Sequence, residues 1–136
     1  MKNHPYQLIL SSSYEEAEVV PSFVSKIAME CGLDEECEST LMLLLSEAVT
    51  NAIVHGNKSD PAKKVRALLE VHTDEVVVTV SDEGEGFDPA VQKNPLDEEN
   101  LLKSGGRGLF LIQELADSYE YRDHGTTLCF TVKRRE

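Results

Sequence analysis

The chain has no long apolar runs. No stretch of it approaches the roughly 18–20 continuous apolar residues that a membrane-spanning helix requires. No apolar signal region follows the N-terminal residues Met1–Pro5. We therefore expect neither a membrane segment nor a secretory signal, and we expect the protein to be cytoplasmic.

Basic residues are also scarce. The chain has 13 Lys and Arg against 25 Asp and Glu, which gives a formal net charge of −12 at pH 7. Affinity for nucleic acid comes largely from Lys and Arg side chains that neutralise phosphates. The composition thus opposes direct binding of nucleic acid, and a partner protein with a basic surface fits the charge better.

Cysteines are too few and too widely spaced for a disulfide framework or a metal site. The three are Cys31, Cys37 and Cys129, and none has CxxC or other metal-ligand spacing. We expect reduced thiols that pack as small apolar side chains. The chain has no repeats either, and its 136 residues, 40% of them hydrophobic, suit one domain over residues 1–136.

Hydrophobic periodicity predicts a complete set of elements. A strand at Tyr6–Leu10 precedes a helix that begins at a capping box, either Ser12 with Glu15 or Ser13 with Glu16, and ends at Cys31-Gly32. A second helix is predicted from about Asp34 to His55, followed by a hairpin over residues 65–71 and 76–81 and a lid at about 83–107. A further helix begins at Gly108, marked by Leu109, Ile112, Leu115 and Ala116, and a hairpin over residues 118–132 closes the chain. This order predicts an α+β two-layer sandwich, in which helices cover one face of a mixed, mostly antiparallel sheet.

The second predicted helix carries a polar stripe. At 100° per residue, Glu47, Asn51 and His55 lie at about 0°, 40° and 80°. Leu43, Leu44 and Val54 fall within about 60° of Glu47. Burying a carboxylate or an amide without a partner is costly, so something must satisfy these groups. A metal with its waters and a phosphate would do so, and so would hydrogen bonds to backbone groups in the core.

The segment Asp82-Glu83-Gly84-Glu85-Gly86 follows directly on the second strand of the first hairpin. Asp82 shares the inward parity of Val76, Val78 and Val80, and its carboxylate could accept a hydrogen bond from an exocyclic amine. Gly84 and Gly86 would let the backbone approach a flat ring. A plain Asp-Gly turn is the alternative.

Two further segments complete the pattern. Glycines 105, 106 and 108 at a helix start can aim backbone N–H groups at phosphate oxygens, and Arg107 adds a cationic fork. A glycine-rich helix entry without any ligand is the alternative. Thr126 shares the inward parity of Leu128 and could close a pocket beside Asp82, although a plain strand threonine would look the same.

Together these segments resemble the superfamily of DNA gyrase, heat-shock protein ninety, histidine kinases and mismatch-repair ATPases, which has the Bergerat ATP-binding fold. Glu47-x-x-x-Asn51 is similar to its N box, Asp82-x-Gly84-x-Gly86 to its first glycine box, and Gly105-Gly106-Arg107-Gly108 to its second. The short chain, the helix segment Glu47–Gly56 and the entry Gly105–Ile112 most resemble the anti-sigma-factor serine kinases of bacteria. The resemblance implies ATP and Mg²⁺ as cofactors, with Glu47 as base, Asn51 as Mg²⁺ ligand, Asp82 for adenine and Arg107 for phosphates.

The resemblance also implies a regulator of transcription that is a homodimer. It would sequester a sigma factor and phosphorylate a serine of an anti-anti-sigma antagonist of the STAS fold. A non-catalytic, nucleotide-gated binding module of the same fold is the alternative, and the presence of Glu47 argues against it. The catalytic domain of a histidine kinase would need a phospho-accepting histidine on a helix, and His4 lies beside Pro5, which disfavours a helix interior.

Overall fold

The computed structural model describes residues 4–85 and 111–134. Within these ranges the sheet has five strands: β1 (His4–Ser11), β2 (Lys64–Val71), β3 (Glu75–Ser81), β4 (Ser118–Arg122) and β5 (Thr127–Lys133). Their spatial order is β1-β2-β3-β5-β4, and every pairing among these described strands is antiparallel. The α+β prediction is confirmed, while the parallel pairing that a mixed sheet would contain does not occur among them.

The described helices lie between strands along the chain and pack against one face of the sheet. A 3₁₀ turn at Tyr14–Val19 leads into α1 (Val20–Cys31), and α2 spans Glu35–Asn51. A π-helical turn at Ala52–Gly56 continues α2, and residues 111–115 are helical (α3). Gly32 ends α1 with a φ of 69°, a left-handed conformation that glycine adopts readily. The Asp34 side chain begins α2 by accepting the N–H of Cys37 at 2.8 Å.

The core lies between α1, α2 and the inward face of the sheet. Burial alternates along β2 and β3, as predicted for a half-buried hairpin. One row of cross-strand partners runs from Leu8 through Ala67, Val80 and Leu128 to Tyr121. Within the described part of the chain, the largest fully buried side chains are Phe130, Ile27, Leu41, Leu44, Leu45, Ile53, Leu69, Ile112, Val20, Val24, Val49 and Val65. The inward faces predicted for both hairpin strands are therefore confirmed.

The predicted capping box is wrong, and one apolar residue of a predicted helix is exposed. Neither Ser12 nor Ser13 caps a helix: the Ser13 side chain makes no capping bond, and Ser12 Oγ donates to the Lys63 carbonyl. Instead, Glu16 reaches back to the N–H and hydroxyl of Ser11. Leu115, one of the apolar residues that mark the helix predicted from Gly108, is 46% exposed, because it is the last residue of α3, just before the chain turns into β4.

The continuous helix Glu35–Gly56 is long and apolar enough to cross a membrane by length and composition alone. In this fold its apolar side chains supply much of the core, with Leu41, Leu44, Leu45, Val49 and Ile53 fully buried. A core helix that packs against a sheet meets the same criterion, so the feature is weak support for a membrane span.

Candidate functional site

The last α-helical turn of α2 carries Glu47 and Asn51. Both side chains are partly buried, and Leu44 and Ala48 beside them are buried. Leu43 is 40% exposed, so the apolar surroundings predicted for Glu47 lie on one side only. Within the part of the chain that the structure describes, no hydrogen bond joins either side chain to a protein group. The backbone partners considered as an alternative are thus not found there, and both groups can receive a ligand.

The π turn changes the geometry beyond Asn51. The N–H of Asn57 donates to the carbonyl of Ala52, five residues back, at 2.8 Å. The N–H of Ser59 donates to the carbonyl of Ile53, six residues back, at 2.7 Å. A π turn rotates less per residue than an α-helix, and such turns are frequent at functional sites. The angle predicted for His55 from α-helical spacing is therefore wrong, and the His55 side chain is exposed.

Asp82 lies where β3 ends and is partly buried, consistent with its predicted inward parity. Its N–H donates to the carbonyl of Thr126 at 2.9 Å, and its Oδ1 accepts the N–H of Gly84 at 2.8 Å. Burial raises the pKa of Asp82, because desolvation disfavours the charged form, and the bond from Gly84 offsets part of that rise. The carboxylate is thus fixed by the loop while its Oδ2 remains for another donor.

The end of the α2 helix meets this loop at two glycines. A Cβ on Gly56 would lie 2.3 Å from Asp82 Oδ2, and a Cβ on Gly84 would lie 1.9 Å from the Gly56 carbonyl oxygen. Side chains at these positions would collide with the loop or with the helix end. The sequence predicts that Gly84 lets the backbone approach a flat ring. In the structure, the missing side chain of Gly84 lets the Gly56 carbonyl approach the loop. The N box helix and the first glycine box are therefore in direct contact.

Gly56 and Asn57 also belong to the site, although the sequence pattern there indicates only the end of a helix. Asn57 is 1% exposed, and its Oδ1 accepts the N–H of Glu83 at 2.7 Å, directly after Asp82. A polar side chain right after a helix-ending glycine is too common a signal to have identified it.

The prediction for Thr126 needs a correction. Thr126 precedes β5 and has φ −81° and ψ −11°, which is not extended backbone, so the alternation with Leu128 does not reach it. Its hydroxyl donates to the carbonyl of Asp123 at 2.8 Å. The Thr126 carbonyl, which accepts the N–H of Asp82, is what holds this residue beside the predicted adenine site.

The remaining predicted residues lie outside the described part of the chain. These are Gly86, most of the lid at 83–107, and the second glycine box with Gly105, Gly106, Arg107 and Gly108. The helix that follows this box is described from residue 111, and its Ile112 is fully buried in the core.

The donor set at this site fits Mg²⁺ held together with a nucleotide. Among the described residues, no group of three or more His, Cys, Asp or Glu could hold a metal by itself. Mg²⁺ usually keeps several waters and binds through one or two protein oxygens plus substrate phosphates. The amide oxygen of Asn51 is an oxygen ligand of this kind.

Comparison with known proteins agrees with this geometry. The family model of the histidine kinase-like ATPase domain matches residues 10–132. The serine-protein kinase RsbW of Staphylococcus epidermidis is 31% identical over 130 residues, which cover 90% of this chain and 82% of that protein. RsbW of Listeria innocua is 30% identical over 115 residues, covering 79% and 73%, and RsbW of Listeria monocytogenes gives the same values. The chain belongs to the family of histidine kinase-like ATPase domains and, within it, to the group of the RsbW serine-protein kinases.

Proposed function

We propose that this protein is an ATP- and Mg²⁺-dependent protein-serine kinase that acts as an anti-sigma factor. The observation that carries the proposal is the contact between the helix that bears Glu47 and Asn51 and the loop that bears Asp82, made through Gly56 and Gly84. Through this contact, the proposed base Glu47 and the proposed metal ligand Asn51 lie on the same side of the fold as Asp82, the proposed acceptor for the amine of adenine.

In this proposal, Asp82 recognises adenine. Its Oδ1 is occupied by the N–H of Gly84, so Oδ2 accepts the hydrogen bond from the exocyclic amine. A partly buried carboxylate binds such a donor more strongly than an exposed one, because water competes less for it. The same burial that raises the Asp82 pKa thus supports recognition of the base.

Asn51 would hold Mg²⁺ through its amide oxygen, and when bound the ion neutralises charge on the ATP phosphates. We assign phosphate contacts to the backbone of Gly105, Gly106 and Gly108 and to the guanidinium of Arg107. That assignment depends on the glycine-rich motif alone, because these residues lie outside the described ranges.

Glu47 acts as the general base. Its carboxylate takes the proton of a serine hydroxyl, the hydroxyl oxygen bonds to the γ-phosphorus of ATP, and the bond to the β–γ bridging oxygen breaks to release ADP. General-base help of this kind contributes about 10²–10⁴-fold to the rate. The partly buried position of Glu47, with no protein partner among the described residues, leaves its carboxylate available for that proton.

The partners follow from the family. The RsbW relatives are named serine-protein kinases, and we infer a protein serine as substrate, on a STAS-type anti-anti-sigma factor. We also infer binding of a sigma factor by a homodimer in the cytoplasm. The net charge of −12 supports a protein partner over nucleic acid.

Incubation with labelled ATP, Mg²⁺ and a candidate STAS protein tests the proposal. We expect phosphoserine on the partner, loss of transfer in Glu47→Ala with ATP binding retained, and weaker Mg²⁺-dependent binding in Asn51→Ala. Undiminished transfer in Glu47→Ala would refute the base assignment. Absence of phosphoserine, with ATP still altering partner binding, would favour the non-catalytic module instead.

A further inference from the structure

Asn57 is a buried polar residue at the junction of three elements. It follows the π turn and is 1% exposed, and its side chain hydrogen-bonds to Ser12 just after β1, to Lys64 at the start of β2 and to Glu83 in the loop after β3. A buried amide requires partners for its oxygen and for its two N–H groups. Asn57 has all of them: Oδ1 accepts from Glu83 N, and Nδ2 donates to Ser12 Oγ at 2.7 Å and to the Lys64 carbonyl at 3.0 Å.

Asn57, Lys64 and Glu83 form a closed ring of hydrogen bonds. Asn57 Nδ2 donates to the Lys64 carbonyl, the Lys64 N–H donates to Glu83 Oε1 at 2.6 Å, and the Glu83 N–H donates to Asn57 Oδ1 at 2.7 Å. Asn57 is buried while Lys64 and Glu83 are exposed, so the buried amide, whose hydrogen-bond partners are all present, is the part of the ring that favours one arrangement. Glu83 is therefore held at both its backbone and its carboxylate.

The loop after β3 is anchored at three successive N–H groups. Asp82 donates to the Thr126 carbonyl and Gly84 donates to Asp82 itself, so these two bonds involve the main chain or the loop's own side chain. The middle bond, from Glu83 to Asn57, reaches a side chain on another element. Among the three, this bond ties the loop to the helix that bears Asn51.

We propose that Asn57 is a positioning residue for base recognition: it fixes Glu83 against the helix end and thereby aligns the Asp82 carboxylate with the exocyclic amine of adenine. The inference rests on the proposed function, in which Asp82 accepts that amine. Asn57 itself does not touch the nucleotide. Its loss should reduce the preference for adenine more than the affinity for the triphosphate.

The test compares binding of ATP with binding of purine riboside triphosphate, which lacks the 6-amino group. The wild-type chain should prefer ATP by about tenfold or more, as expected for a hydrogen bond to a charged acceptor. In Asn57→Leu, which leaves the Glu83 N–H without its acceptor, the ratio should fall below about threefold. Partial unfolding lowers both affinities equally and leaves the ratio unchanged, so the ratio separates positioning from stability.

Two control variants sharpen the result. Asn57→Asp keeps an acceptor for the Glu83 N–H but places an oxygen against the Lys64 carbonyl, so it should lose stability and keep the ratio. Ser12→Ala removes a partner on the side away from the loop and should also lose stability only. A wild-type ratio in Asn57→Leu, or an equal loss of ratio in Ser12→Ala, would overturn the inference.

A measurement on the unmodified chain covers the case in which Asn57→Leu does not fold. The Glu83 amide should be protected from hydrogen exchange before any nucleotide is added, because Asn57 already binds it. Unprotected exchange in the free protein would contradict a preformed loop and overturn the inference. If the wild-type chain binds both triphosphates equally, adenine recognition by Asp82 fails and this inference fails with it, whereas failure of the proposed kinase function shows separately as absence of phosphoserine on the partner.

Discussion

Replacing Gly84 by alanine should lower both the stability of the fold and the affinity of the proposed nucleotide site for ATP. The added Cβ would lie 1.9 Å from the Gly56 carbonyl oxygen, 2.6 Å from the Gly56 carbonyl carbon and 3.0 Å from Asp82 Oδ1. The first two atoms belong to the backbone at the end of a helix, so no side-chain rotation can remove the clash. The loop and the helix end must move apart.

The size of that movement sets the expected effect. An ordinary contact needs about 3.4 Å, so the two backbones must separate by about 1.5 Å. Overpacking of this kind costs about 1–3 kcal/mol, and we expect the upper part of that range because the obstacle is backbone. At about 4 °C per kcal/mol, the melting temperature should fall by roughly 8–12 °C. The Asp82 carboxylate moves with the loop, so affinity for ATP should fall at least about tenfold.

Gly32→Ala is the matched control. Gly32 has a φ of 69°, and no heavy atom lies within 4 Å of the position that a Cβ would take there, so alanine adds backbone strain without a clash. We expect a loss of about 1–2 kcal/mol in the free energy of unfolding and unchanged ATP affinity. Gly56→Ala should do the reverse of Gly32→Ala and lower ATP affinity more than stability. Its Cβ would meet the end of the Asp82 side chain, which can rotate away and so lose its adenine contact.

Thermal unfolding and calorimetric titration with ATP and Mg²⁺ on all three variants check these expectations. Wild-type ATP affinity in a folded Gly84→Ala protein would refute the reasoning, since it would mean that the close approach of the two glycines does not position the site. Equal loss of ATP affinity in Gly32→Ala would refute it as well.

Two further predictions concern ionisation. Burial raises the pKa of the Cys37 thiol to about 11, so the folded chain holds that proton more tightly than the unfolded chain. Wild-type stability should therefore fall as the pH rises from about 9 to about 11, and urea unfolding of Cys37→Ala should show a shallower fall; an identical slope would contradict this. Burial also raises the pKa of Asp82 above 3.8, so wild-type stability should fall as the pH rises from that value through the raised pKa. Asp82→Asn, which can still accept the Gly84 N–H, should lack that fall in stability and should bind ATP more weakly. If the variant shows the same dependence of urea unfolding on pH as the wild type, this prediction is wrong.

The sequence by itself determined the elements and most of their faces. Alternating valines and leucines over residues 65–71 and 76–80 specify a half-buried hairpin, because side chains in a strand alternate between two faces. The same parity placed Asp82 on the inner side of the sheet. The acidic start at Asp34 and the stop at Gly56 set the limits of the long helix, and its spacing placed Glu47 and Asn51 one turn apart.

Tertiary structure alone decided how these elements meet. Gly56 and Gly84 are 28 positions apart, and only the packing of the helix end against the loop brings a carbonyl to 1.9 Å from the position of a possible Cβ. The partners of Asn57 come from residues 12, 64 and 83, and the Thr126 hydroxyl turns to Asp123 because three residues with positive φ bend the chain before β5. Local periodicity reports which face of an element is apolar. Contacts between backbones that are distant in sequence depend on the assembled fold, and this site is built from such contacts.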